Sequence, residues 1–441
     1  MRAGRRALVA VAVVAVALFA VTLTVRATSA SSGGPTNPAT APQPQYDFDD
    51  PAKAFAVELD FGASAATLVR ATVVGERSYS HLGDPPLLRL FLTDEGGASA
   101  GSFNAWDPRW YFEQTPTGAE RMVRRDGPGT LFLPFDADTA ALRVHDLRAG
   151  TDLATVDLRP AVHEFCLANP ADGECVQADL AVTSATAAGD PLGVLGKPVT
   201  LHAAAGVANL GPAGPVDAVV TQTVAASPGL TVTPASRTFA SKDLKVSKDP
   251  KSPNIVTYGG DYAVTCTSPG TRTVTVTTSV APVKAKVADV KPGNDGKPVT
   301  FTIDCAVPVA VNVLPGSLTN PVQVVPQGEL PVVVLTTNAG EYGNPVAFNA
   351  GSIQAPTVRV GVRGPLVAAG TGSAEVHGKV HGEYAPELDE TTVDGDRDAL
   401  LHASLTELGV QPGTTEICVR GRFGPGAGTS FFGCDHITVI P

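Results

Sequence analysis

The sequence predicts an all-β chain, a string of β-sandwiches behind an apolar N-terminal segment. Three observations predict it. Val and Thr are plentiful and stand among 45 Gly and 37 Pro; Val and Thr suit pleated, half-buried surfaces, and Gly and Pro punctuate turns. Few stretches keep the 3.6-residue apolar period of a helix, whereas Thr273-Val274-Thr275-Val276-Thr277 alternates strictly, as a strand with one wet face does. The six cysteines fall as three sequence neighbours: Cys166 with Cys175, Cys266 with Cys305, and Cys418 with Cys434. At 441 residues the chain exceeds what one core holds, so several domains are expected.

The elements follow in order. Arg2, Arg5 and Arg6 precede an uncharged run, Ala7 to Val25, and Thr28-Ser29-Ala30 offers small residues for cleavage. At 1.5 Å per residue that run is about 28 Å long, close to the roughly 30 Å of a hydrocarbon core. Residues 1–30 therefore read either as a cleaved signal peptide or as a retained single-pass anchor. The arginines before the run keep the N-terminus cytoplasmic and send the rest outward. The membrane is met only through this segment. Residues 31–45, rich in Ser, Gly, Pro and Thr, read as a flexible tether.

Residues 46–176 read as a β-sandwich module. Strands are expected at Ala54–Asp60, Thr67–Val74, Leu87–Thr93, Trp110–Glu113, Thr130–Phe135, Leu142–His145 and Leu153–Leu158, with a short helix from Arg159 to Cys166 that carries Pro160 in its first turn. Trp106 and Trp110 lie here, either as packing or as a ligand platform. Residues 177–311 read as a second module, with strands at Leu180–Ser184, Val199–Val207, Val216–Val224, Ile255–Thr265, Arg272–Val280 and Val299–Cys305. The Lys/Asp-rich stretch Lys242 to Lys251 reads as a solvated loop. Its passages Ala178-Asp179-Leu180-Ala181-Val182, Ala208-Asn209-Leu210-Gly211-Pro212 and Tyr262-Ala263-Val264-Thr265-Cys266 resemble the Ig-like repeat modules of bacterial surface proteins, including the cell-adhesion-related type. That resemblance implies a spacer or stalk.

Residues 312–441 form the third module. Leu314-Pro315-Gly316-Ser317, Asn320, Gly328 and Leu330-Pro331-Val332-Val333-Val334-Leu335-Thr336-Thr337 open it. Leu408-Gly409, Pro412-Gly413, Thr415-Glu416-Ile417-Cys418 and Gly433-Cys434-Asp435 close it. The pattern is similar to a β-rich module that recurs at the C-termini of secreted bacterial proteins. In that module the centre reads His-x-Glu-Asp-Val-Asn-Gly-Asp-Gly-x-x-Asp, then an apolar strand with a late His. Here His381-Gly382-Glu383, Val393-Asp394-Gly395-Asp396 and Asp398-Ala399-Leu400-Leu401-His402 keep it, interrupted by Tyr384 to Thr392. Alternate carboxylates on a tight glycine turn converge oxygens at about 2.3 to 2.6 Å on Ca²⁺. Asp394, Asp396 and Asp398 are thus the candidate calcium ligands, with a solvated acidic turn as the other reading.

The remaining chemistry is thin. The run Glu375 to Glu383 alternates, which predicts a strand with His377 and His381 about 13 Å apart, too far to share an ion. Gly97-Ala98-Ser99-Ala100-Gly101 has the letters of a nucleophile elbow, but no helical pattern follows it. Neither a phosphate-cradling loop nor a dinucleotide fingerprint occurs. The net charge of −11 argues against nucleic acid, whose phosphates need clustered Lys and Arg.

Six cysteines allow fifteen pairings. Neighbour pairing is favoured because each partner falls in the same module, and each bond would contribute about 3 to 4 kcal/mol by chain entropy. An even set of cysteines behind an export segment places the protein outside the cytoplasm or on the cell surface. The expectation is three tandem Ig-like or jelly-roll-like sandwiches forming a non-enzymatic structural or adhesion array. Its partner would be an extracellular protein or a glycan, bound through loops or sheet edges. Two other readings stand beside it: a carbohydrate-binding or accessory component of a secreted hydrolase system, and a secreted enzyme using Ser99.

Overall fold

The computed structural model describes residues 53–76, 87–247, 253–323 and 327–440. The expected export segment and tether lie outside them. Among the described residues no helix is long and apolar enough to cross a membrane. The chain is all-β.

The first module contains β1 (Ala54–Phe61), β2 (Ala66–Val74), β3 (Leu88–Asp94), β4 (Ser99–Ala105), β5 (Trp110–Gln114), β6 (Glu120–Arg124), β7 (Gly127–Pro134), β8 (Thr139–Asp146) and β9 (Thr151–Asp157), then α1 (Arg159–Ala168). Two antiparallel sheets, β2-β1-β7 and β4-β3-β8-β9, face each other. Alternation decides the inner faces: Phe55, Val57, Leu59 and Phe61 of β1 oppose Leu88, Leu90 and Leu92 of β3 in one core, as period-two strands require. Helix α1 buries Ala161, Val162 and Cys166 on that core, and its Cys166 is bonded to Cys175. β5 and β6 form a separate hairpin. Its base is held by the fully buried Arg109, whose Nη2 lies 2.6 Å from both Asp107 and Asp146 and whose Nη1 donates to the Gly62 carbonyl.

The second module contains β10 (Val176–Gly189), β11 (Leu192–Val194), β12 (Pro198–Pro212), β13 (Val216–Ala226), β14 (Leu230–Thr233), β15 (Ser236–Leu244), β16 (Val256–Cys266), β17 (Gly270–Pro282), β18 (Val287–Asp289) and β19 (Gly296–Pro308). One sheet runs β14-β16-β12-β10-β18, and the facing one begins β15-β13-β17-β19. In β17 the alternating Val274 and Val276 are buried, and Thr275 on the other face meets Thr300 across the strand pair. The buried Tyr262 hydroxyl of β16 donates to Gln222 Oε1 of β13 at 3.0 Å and links the sheets. Cys266 of β16 is bonded to Cys305 of β19, so this disulfide crosses the sandwich. The expected loop Lys242 to Lys251 is corrected in part: Lys242–Leu244 completes β15, with Leu244 buried, and 248–251 lie outside the described residues.

The third module contains β20 (Val311–Val313), β21 (Pro321–Gln323), β22 (Glu329–Val334), β23 (Arg359–Gly361), α2 (Arg363–Ala369), β24 (His381–Glu383), β25 (Asp398–Ser404), β26 (Glu416–Phe423), β27 (Thr429–His436) and β28 (Thr438–Ile440). One sheet is β20-β22-β25-β24. The hairpin β26–β27 does not start a new sheet. It pairs β27 parallel to the end of β19, Val307 with Phe431 and Pro308 with Phe432, so the second module's sheet continues as β19-β27-β26-β23. One apolar core accordingly runs from Val264, Val274 and Ile303 through Val311 and Val332 to Leu401 and Phe431. Cys418 and Cys434 face each other across β26–β27 and are bonded.

The motifs that open and close this module meet. Asp435 accepts from the Val313 backbone N–H at 2.8 Å and from Asn320 Nδ2 at 2.9 Å. β21 then pairs with β28. At Gly433 a Cβ would run into the Val309 carbonyl oxygen, so only glycine lets β27 approach the strand leaving the second module.

Candidate functional site

The acidic loop is built by the stretch that interrupts the pattern. Asn312 Nδ2 donates to the Pro386 carbonyl at 3.1 Å, and the Glu387 N–H donates to the Thr392 carbonyl at 2.9 Å. These bonds fold Tyr384–Thr392 back over β20. Asp389 fastens the turn by accepting from the N–H groups of Thr391 and Thr392 and from the Thr392 hydroxyl, which holds its carboxyl down at about 2. Glu387, only 6% exposed, is thereby aimed at Asp394 and Asp396.

One oxygen from each of Glu387, Asp394 and Asp396 lies within 4.8 Å of the others. Oxygens on opposite sides of an ion held at about 2.4 Å would be about 4.8 Å apart. Gly395, at φ +93°, turns the chain so that the Asp396 N–H donates to Asp394 Oδ1 at 3.0 Å. Asp398 has a different role. It is buried at the head of β25, and its two oxygens accept from the Thr336 N–H at 2.8 Å and the Ala385 N–H at 3.2 Å. It locks the loop to the sheet and adds its charge from behind. Of the three expected ligands, the structure thus joins Asp394 and Asp396 with Glu387.

Like charges in a partly dry site resist ionisation. Burial, then the charges of Asp394 and Asp398, push the Asp396 carboxyl up to about 7. Burial is the main cause that raises Glu387 and Asp398 as well. The Tyr342 hydroxyl donates to Glu387 Oε2, while Glu387 Oε1 and Asp396 Oδ1 are buried without a partner. Such a set of oxygens can share a proton or surround a hard cation.

A second surface feature belongs to the β5–β6 hairpin. Trp106 stacks on Phe112 with centroids 5.9 Å apart, and Phe112 is 61% exposed. Arg148 lies 4.5 Å over Trp110, and Arg125 lies 4.7 Å over Tyr111. Ser99 opens β4 opposite Thr93. Its setting is strand–turn–strand, without the helix that a nucleophile elbow requires.

The histidine expectation is corrected. Glu375 to Lys379 is a turn and only His381–Glu383 is a strand. Gly378, at φ +68°, reverses the chain, and His381 Nε2 comes within 3.2 Å of His377 Nδ1. The alternating letters concealed a glycine turn. Sequence reasoning also missed Glu387, although the inserted Glu387, Asp389 and Glu390 were visible as an acidic group beside the Asp-Gly-Asp segment.

The chain matches no family model and no curated protein. Among solved structures it is similar to a cohesin module from a Clostridium perfringens family 33 glycoside hydrolase, at 12% identity over 28% of this chain and 97% of that one, with a TM-score of 0.16. It is also similar to the Dpr2 Ig1-Ig2 structure in complex with DIP-Theta Ig1-Ig3, at 8% identity over 88% and 95%, TM-score 0.16. A glycosyl hydrolase family 2 member from Bacteroides cellulosilyticus aligns at 7% identity over 62% and 30%, TM-score 0.19. At such scores these likenesses carry no functional argument. The geometry itself defines the chain as a disulfide-stapled β-sandwich module protein.

Proposed function

We propose that this is a non-enzymatic extracellular or cell-surface protein, a structural or adhesion-type array that holds a binding surface away from the membrane. One observation carries it. The sandwiches are stapled by three disulfides, one bond in each successive module, and the second and third share a sheet and a core. A continuous sheet transmits load along its strands, and disulfides keep their contribution where no chaperone acts. Calcium at the Glu387–Asp394–Asp396 loop stiffens the third module. The test is export of the full chain from a bacterial host, followed by thiol labelling of the native protein and binding to extracellular protein panels. Native protein with free thiols, or protein retained in the cytoplasm, would refute the placement. Turnover in activity-based hydrolase profiling would refute the non-enzymatic reading.

The exposed Phe112 of the β5–β6 hairpin, stacked on the half-buried Trp106, favours a second reading, a glycan-binding or accessory component of a secreted hydrolase system. Trp and Phe faces are apolar platforms with polar neighbours. A glycan array probed with wild-type protein and with Phe112→Ala separates the two: retained glycan signal that is lost in the variant supports the second.

A further inference from the structure

We propose a transition-metal site, of the N₃O type that suits Zn²⁺, formed by Glu375, His377, His381 and His402 in the third module.

One ligand atom from each of these four residues lies within 4.8 Å of every other. His377 Nδ1 is 3.2 Å from His381 Nε2. Glu375 Oε1 is 3.8 Å from His377 Nδ1 and 3.9 Å from His402 Nδ1. Four ligands at 2.0–2.1 Å in a tetrahedron sit about 3.3 to 3.4 Å apart. The three separations just given lie within about 0.6 Å of that figure, and the remaining pairs stay within 4.8 Å, so side-chain rotations close the set around one ion.

The frame is pre-set by backbone. Glu375 bridges to Ala403, and the Val376 N–H donates to the His402 carbonyl at 3.0 Å, which lays the turn against β25. The Glu375 side chain is 1% exposed and accepts from the N–H groups of Lys379 at 3.0 Å and His402 at 3.3 Å. An oriented, buried carboxylate is thus fixed beneath three imidazoles.

Hydrogen bonding alone leaves the arrangement unexplained. A His377–His381 bond accounts for one contact, yet His402 Nδ1 is buried with no hydrogen-bond partner and stands 3.9 Å from the Glu375 carboxylate at the same spot. Three rings with centroids 4.6, 5.2 and 5.4 Å apart give one metal three nitrogen donors. Glu329 Oε2, 3.7 Å from His377 Nε2, stands where an outer carboxylate orients a metal-bound imidazole. Imidazole selects zinc, copper or nickel over calcium, so this site and the all-oxygen loop differ in the ions they take. With four protein ligands and no open position, the site is structural: the ion ties the Glu375–His381 turn to β25.

The test uses the full chain without an affinity histidine tag, stripped with chelator and titrated calorimetrically with zinc sulfate, then with cobalt(II) as a spectroscopic probe. One saturable zinc per chain, a raised melting temperature and the intense visible bands of four-coordinate cobalt are expected. His377→Gln, at a 40% exposed side chain, leaves the fold intact and lowers affinity by at least the roughly 10- to 100-fold that loss of an outer partner costs. Asp396→Asn binds zinc as the wild type does. Absence of saturable binding in the wild type, unchanged affinity in His377→Gln, six-coordinate cobalt spectra, or zinc lost in Asp396→Asn would each overturn the site. None of these outcomes bears on the extracellular-array reading.

Discussion

If the Glu387–Asp394–Asp396 loop takes calcium as proposed, protonation competes with it, and the raised Asp396 carboxyl gives the sign of that competition. The Asp396 carboxyl, ordinarily near 3.8, is raised to about 7 by burial and its acidic neighbours. In the absence of a cation the folded chain therefore holds a proton that the unfolded chain has released between about pH 4 and 7. Stability from this group is full below about pH 4 and is lost as pH rises through about 7. Chelated protein should melt at a higher temperature at pH 5 than at pH 8 as far as this loop is concerned. Calcium bound there should reverse the trend, because it would replace the proton. From pH 8 to pH 6 a group titrating at about 7 goes from roughly nine-tenths to one-tenth ionised, so apparent calcium affinity should fall about tenfold from this proton alone. With a dissociation constant of about 10⁻⁴ to 10⁻³ M, as in extracellular modules, calcium at about 10 mM adds about 1.4 to 2.7 kcal/mol. That is a rise of about 3 to 10 °C. The assay is differential scanning fluorimetry from pH 5 to 8 with chelator or calcium, on wild type and Asp396→Asn. Asp295, also raised to about 7 by burial and by Asp289, titrates in the same window, so Asp295→Asn is the second control. Asp396→Asn should melt higher than wild type in chelator at pH 8 and lose the calcium response. A variant that is less stable there, or a wild type whose melting ignores calcium at pH 8, refutes the reasoning.

Three further outcomes follow from the packing. Replacing Cys266 and Cys305 by Ala should cost about 4 kcal/mol, against about 3 kcal/mol for either of the other pairs, because the sequence separations are 39, 9 and 16; denaturant titration of the three double variants ranks them. Arg109→Met should cost about 3 to 5 kcal/mol by stranding Asp107 and Asp146, measured by urea unfolding followed at Trp106 and Trp110. Gly433→Ala should cost about 1 to 3 kcal/mol by overpacking against Val309, and hydrogen exchange should rise at the Val309 amide, which donates to Phe432.

Strands with strict alternation were legible. β1, β13, β17 and β19 lie within a few residues of their expected bounds, because a two-residue period leaves one register for burial. β4 and β15 were not: Ser99–Ala105 and Ser236–Leu244 are poor in β-branched apolar residues and are held by their neighbours' open edges. The same limit applied to the site. Asp394 and Asp396 were readable from their spacing around Gly395. Glu387 was reached only because Asn312 and Thr392 fold the insertion back, a long-range effect with no local signature. His377 and His381 mimicked a strand, and Gly378 decided otherwise by taking the left-handed conformation that alternation cannot show.

The Gly433-Cys434-Asp435 triplet has a mechanical logic that joins these observations. Gly433 admits β27 to the second module's last strand, Cys434 locks β27 to β26, and Asp435 accepts from Val313 and Asn320 at the other end of the third module. Three adjacent residues thus close the third module on itself and fuse it to the second. Pulling on the far end should load the short parallel pairing of β19 with β27 together with the apolar core that the second and third modules share. The first module has a different connection, made through α1 packed near β18 with Ala288 in its core, where helix and sheet meet by side chains and, among the described residues, no strand ladder runs across. Force applied along the chain should therefore separate the first module before the second and third part. In single-molecule pulling, an unfolding step for the first module that comes last would contradict this order.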